Sequence, residues 1–142
     1  MIASVIISCL KGENPRVSSP GSVRDFIFIQ DVVDAFVKVV EQNDKTKLQG
    51  PVYNIGLGKQ HSVGEVVNTI VELTGSRSEP MWNAVPNPRI EPKKWEADIS
   101  RASAQMNWKP ANTLRQGLEK TIKWFESNLD LYENALIGKK QR

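Results

Sequence analysis

The sequence predicts an α/β fold, a small lobe of short strands and about four helices. Brief β-branched and aromatic runs, such as Arg24 to Ile29 and Pro51 to Ile55, alternate with amphipathic stretches of helical period. Two Ser/Thr-x-x-Glu/Gln signals, at Ser62 with Glu65 and at Thr113 with Gln116, mark helix starts. Prolines and glycines divide these segments, and only about four strands, all brief, can be found.

At the N-terminus, Ile2, Val5, Ile6, Cys9 and Leu10 recur at helical spacing and end at Gly12. Arg16 to Ser18 reads as a strand, followed by a Ser19-Pro20-Gly21-Ser22 loop and the strand Arg24 to Ile29. A helix opens near Gln30 or Asp31 and should face the core with Val32, Val33, Phe36, Val39 and Val40, up to about Glu41. Gln42 to Gly50 is a polar surface loop, and Pro51 to Ile55 a strand closed by Gly56 and Gly58. The Ser62 capping box starts a helix carrying Val63, Val66, Val67, Ile70 and Leu73, which stops at Gly75. Met81 to Val85 is expected as a strand between prolines, and Lys93 to Ala97 as an extended piece. Asp98 should cap a short helix from Ile99 to about Met106, with Asn107 in the left-handed conformation. The last long helix has the stripe Leu114, Leu118, Ile122, Phe125 and Leu129.

Composition narrows the function classes. A 142-residue chain that is 39% hydrophobic and 25% charged suits one globular domain with its own core. No apolar run approaches the roughly 20 residues that cross a bilayer, so no membrane association is expected. MIASVIISCL lacks the basic flank and cleavage site of a signal peptide and reads as a helix. Cys9 is the only cysteine, which excludes an internal disulfide and agrees with a cytoplasmic location. With His61 the only histidine, no metal site is expected, because zinc seldom accepts a nearly all-carboxylate ligand set. The net charge of +3 comes partly from Lys139, Lys140 and Arg142, a weak basis for binding nucleic acid.

Three segments, RDFIFIQDVVDAF, YNIGLGKQHSVGEVV and WEADISRASAQMNWKPANTLRQGLEKTIKWF, have the order and spacing of the C-terminal half of the extended short-chain dehydrogenases. The chain thus resembles the NAD-dependent epimerase/dehydratase family, which includes UDP-glucose 4-epimerase and dTDP-glucose 4,6-dehydratase, from Met1 to about Phe125. The resemblance implies a nucleotide-sugar binding lobe over 1–129, and the Gly-Lys-Lys ending of the terminus suits a flexible tail over 130–142. It implies that the N-terminal Rossmann domain, which holds NAD in full-length members, is lacking. Gly56 and Gly58 do not complete a dinucleotide fingerprint, since His61 stands at the third position, and no cofactor is expected on this chain alone. The family's Tyr-x-x-x-Lys pair is not matched either: Leu57 lies four residues after Tyr53, and Leu136 four after Tyr132. No catalytic residue is therefore assigned.

The resemblance places Arg24 where the family has an arginine on the diphosphate of the nucleotide sugar. A guanidinium suits that role as a planar, permanently charged fork of donors; the competing reading is a surface ion pair. Arg89 resembles the second phosphate arginine, in a loop one residue shorter than the usual pattern. Asn54 and Trp82 are candidates for the pocket edge. Trp82 and Trp95 could stack on a base or sugar, or could be packing residues. Asp98 is read as a cap, His61 as a satisfied surface histidine, and Trp108 and Trp124 as packing anchors.

The leading expectation is a substrate-binding fragment of a nucleotide-sugar epimerase or 4,6-dehydratase. The alternatives are a free-standing nucleotide-sugar binding module and a non-catalytic structural or interaction protein of the same fold. If the Rossmann half is lacking, an apolar surface should be exposed around the first helix and the strand Pro51 to Ile55, and self-association through it is plausible.

Overall fold

The computed structural model describes residues 1–41, 52–86 and 92–132. Among these residues the named elements are α1 (Ile2–Leu10), β1 (Val23–Arg24), α2 (Ile29–Glu41), β2 (His61–Ser62), α3 (Val63–Thr74), α4 (Ser100–Met106) and α5 (Leu114–Ser127). Residues 129–132 return to helix after a bend at Asn128, while 133–142, most of the expected tail, lie outside the described residues.

Helices α1, α3 and α5 make the main core. α1 contributes Val5, Ile6 and Cys9, α3 contributes Val66, Val67 and Ile70, and α5 contributes Leu118, Ile122 and Phe125. Each fully buried aliphatic side chain contributes about 2 kcal/mol of transfer free energy. A second cluster, Ala35, Ala102, Met106 and Trp108, joins α2 to α4. Cys9 is buried, and desolvation raises its thiol pKa although the Thr74 and Ser78 side chains hydrogen-bond to it. The thiolate is the nucleophile, so iodoacetamide should label Cys9 at pH 8 at least about tenfold more slowly in the folded chain than in urea. Mass spectrometry of a labelling time course checks this, and equal rates would contradict the burial.

The helix ends follow the local chemistry. Gly75 closes α3 at φ 61 and Asn107 closes α4 at φ 47, both left-handed. Thr113 and Gln116 form the complete capping box of α5. At α3 the box is only half made. The Ser62 hydroxyl accepts the Glu65 N–H, but the Glu65 carboxylate turns to Nδ1 of His61 at 2.8 Å. That contact also corrects the placement of His61, which is 7% exposed rather than on the surface. Asp98 caps from one residue further out than expected: its Oδ1 accepts the Ser100 N–H at 2.9 Å and α4 starts at Ser100.

The strands are shorter than predicted. Of the Arg24 to Ile29 region only Arg24, together with the preceding Val23, pairs among the described residues, antiparallel, with His61 and Ser62 respectively. Residues 52–55 join no ladder, and the Met81 region makes a single parallel bridge to Arg16 before Asn83 turns at φ 57. A β-rich run becomes a strand only where another strand lies beside it to exchange N–H and C=O bonds.

Helix α2 departs most from its pattern. Its buried residues are Asp31 and Ala35, whereas Phe36 and Val40 of the expected core face are 70% and 77% exposed. Asp31 fixes this rotation. Its carboxylate accepts the N–H groups of Ala111 and Asn112 and the Asn112 amide, while its carbonyl accepts Trp108 Nε1–H. The wide apolar side, with Ile29, Val33, Phe36, Val37 and Val40, is left facing outward. Beside it lies a hollow of about 200 Å³ lined by Ala35, Phe36, Val39, Tyr53, Ile55 and Met106. The exposed apolar surface thus lies on α2 with Val52, and not on α1, which is part of the core.

Candidate functional site

The site is organised by a carboxylate that the sequence did not single out. Asp25 follows Arg24 directly, and its Oδ1 accepts the Leu57 N–H at 2.7 Å. Its Oδ2 accepts the N–H groups of Gly58 at 3.0 Å and Ala97 at 2.9 Å. One side chain thereby joins the end of β1, the glycine turn at 56–58 and the extended segment before α4. Gly56 makes the approach possible: a Cβ there would lie 2.7 Å from Ala97 Cβ and 2.8 Å from Asp25 Oδ2.

Beside this joint the Arg24 guanidinium lies over the indole of Trp95, 4.7 Å from the ring centroid. Its Nη1 donates to the Val23 carbonyl at 2.6 Å. Trp95 is held from its own backbone, whose N–H donates to Gln60 Oε1 at 2.8 Å. Trp95 is 52% exposed and Arg24 is half-buried beside it. Close by in the chain, Lys94 and Glu96 form an ion pair at 2.8 Å. The hydrogen bond from Lys94 holds the Glu96 carboxyl below the usual carboxylate pKa.

The remaining candidates are distributed differently. Asn54 is exposed and its Nδ2 donates to the Asp98 carbonyl at 3.3 Å, on the segment that carries Trp95 and Ala97. Trp82 is half-buried and packs against the core of α1, α3 and α5. Arg89 lies outside the described residues. Trp108 is buried as an anchor, while Trp124 is 46% exposed and meets Phe125 and Tyr132 edge to face.

The Gly56 to Gly58 turn does not fit a dinucleotide. A pyrophosphate cradle offers unpaired backbone N–H groups at a helix N-terminus, but here the Leu57 and Gly58 N–H groups already point at a carboxylate. Tyr53 donates its hydroxyl to Gln105 Oε1 at 3.1 Å. Among the described residues no three of His, Cys, Asp and Glu are grouped to hold a metal ion, and no helix is long and apolar enough to cross a membrane.

The same arrangement of elements occurs in solved structures. The structure of UDP-glucose 4-epimerase from Thermotoga maritima, with UDP-glucose, superposes with a TM-score of 0.78 at 28% identity, over 90% of this chain and 40% of that one. The WbmF enzyme of Bordetella bronchiseptica, in complex with NAD+ and UDP, gives a TM-score of 0.74 at 27% identity, over 94% and 38%. In sequence, UDP-glucuronic acid decarboxylase 1 of Danio rerio is 30% identical over 135 residues, 94% of this chain and 31% of the relative. The dTDP-glucose 4,6-dehydratase of Escherichia coli is 27% identical over 146 residues, 97% and 39%. The family model for GDP-mannose 4,6 dehydratase matches residues 1–121. The chain belongs to the NAD-dependent nucleotide-sugar epimerase and dehydratase family. It spans about a third to two fifths of the length of the curated relatives it matches.

Proposed function

We propose that this chain is the C-terminal, substrate-binding part of an NAD-dependent nucleotide-sugar epimerase or 4,6-dehydratase, and that Arg24 holds the diphosphate of the nucleotide sugar. The observation that carries the reading is the half-buried Arg24 guanidinium over the exposed ring of Trp95, in a strand end joined by Asp25 to two further segments. A fixed, permanently charged fork of donors is what a diphosphate requires for bidentate pairing. Arg89 supplies the second guanidinium, and Asn54 lines the pocket edge. Trp82, half-buried against the helical core, is the other candidate for the pocket edge.

The chemistry belongs to the remainder of the protein, which binds NAD and carries the tyrosine base. The outward apolar side of α2 supports this division. Five large hydrophobic side chains, Ile29, Val33, Phe36, Val37 and Val40, stand exposed on one helix, a cost that a covering domain removes. Titration calorimetry of the chain with UDP, CDP, GDP and dTDP, repeated with Arg24→Ala, tests the proposal. UDP is expected to bind, as the neighbours solved with UDP and UDP-glucose suggest, and Arg24→Ala should weaken it at least about tenfold, or ~1.4 kcal/mol. Equal affinity of the two proteins would remove Arg24 from the site.

A further inference from the structure

We infer that Trp95 is a positioning residue for the anion site: its indole face aims the Arg24 guanidinium, so that nucleotide affinity depends on an aromatic ring that need not touch the ligand. This rests on the reading of Arg24 as the diphosphate ligand. Three observations carry it. The guanidinium carbon lies 4.7 Å from the ring centroid, within the range where the ring quadrupole attracts a cation. The backbone that carries the indole is held at two points, by the Trp95 N–H on Gln60 Oε1 and by the Ala97 N–H on Asp25 Oδ2. Asp25 is the residue next to Arg24, so the backbones that carry the platform and the arginine are tied to one carboxylate.

A long side chain at a surface loses several rotatable bonds when it binds a ligand. Stacking on the ring settles part of that loss beforehand, as pre-organisation does generally. An aliphatic side chain at position 95 would fill space without attracting the cation. A phenyl ring would keep most of the attraction.

The test is calorimetric titration with UDP of the unchanged chain, Trp95→Leu, Trp95→Phe, Arg24→Ala and the Trp95→Leu/Arg24→Ala double variant, each checked by thermal melting. Trp95→Leu should weaken UDP binding about three- to fivefold, Trp95→Phe should stay within about twofold, and Trp95→Leu should add nothing once Arg24 is gone. Trp95→Thr serves as the second non-aromatic variant should Trp95→Leu fold poorly. Unchanged affinity in both non-aromatic variants, or an equal loss with and without Arg24, would overturn the inference while leaving Arg24 as the ligand. Failure of the unchanged chain to bind UDP, or full binding by Arg24→Ala, would instead overturn the diphosphate reading and this inference with it.

Discussion

Asp31→Ala is expected to lower the free energy of unfolding by about 4 kcal/mol, a large part of the 5–15 kcal/mol that holds a typical domain. The carboxylate is 1% exposed and accepts three N–H donors, from the Ala111 and Asn112 backbones and the Asn112 side chain, at 3.0, 3.3 and 2.8 Å. Each donor left without an acceptor in a partly buried site costs about 1–3 kcal/mol, and the three share one acceptor and do not add fully. Removing it also frees the rotation of α2, since Asp31 holds the loop before α5 against the first turn of that helix. Asp31→Asn keeps one oxygen and should recover about half of the loss. Urea unfolding followed by circular dichroism measures both variants. A change below about 1 kcal/mol for Asp31→Ala would mean that water replaces the carboxylate at little cost.

Asp25→Ala ranks second, with about 3 kcal/mol of stability lost and a functional consequence as well. Three backbone donors from two separate segments converge on this side chain, and hydrogen bonds to a charged group are the stronger kind, about 1.5–3 kcal/mol each. Asp25 is less buried than Asp31, so water can reach the abandoned donors and the loss is smaller. Because the segment bearing Trp95 is tied to Arg24 through this carboxylate, UDP affinity should fall together with stability. Urea unfolding and titration of the same preparation separate the two effects. Full UDP affinity in a destabilised Asp25→Ala would show that the joint supports the fold without aiming Arg24.

What could be read directly were the features that neighbouring residues specify. The Thr113 and Gln116 box, the Gly75 and Asn107 helix ends and the stripe of α5 were legible because capping and left-handed backbone depend on residues within a few positions. Arg24 was found as a site candidate only through the family resemblance. The role of Asp25 is not legible in the sequence because its three partners lie 32, 33 and 72 residues away. The one hint was a Gly-x-Gly turn whose N–H groups needed an acceptor. Glu65 was assigned to the wrong donor, since local spacing permits both its own cap and His61, and only the burial of that ring decides between them.

The sequence by itself determined the positions of the five named helices, the absence of a Tyr-x-x-x-Lys pair and, through the order of its motifs, the family. These follow from periodicity, caps and motif order along the chain. Tertiary structure alone decided which side of α2 faces inward, which β-rich runs find a strand partner, and that Arg24, Asp25 and Trp95 meet at one place. An apolar stripe states that a helix side must be covered without saying by what. On α2 the buried hydrogen bonds of Asp31 outweigh the broader hydrophobic side, and Phe36 and Val40 stand exposed.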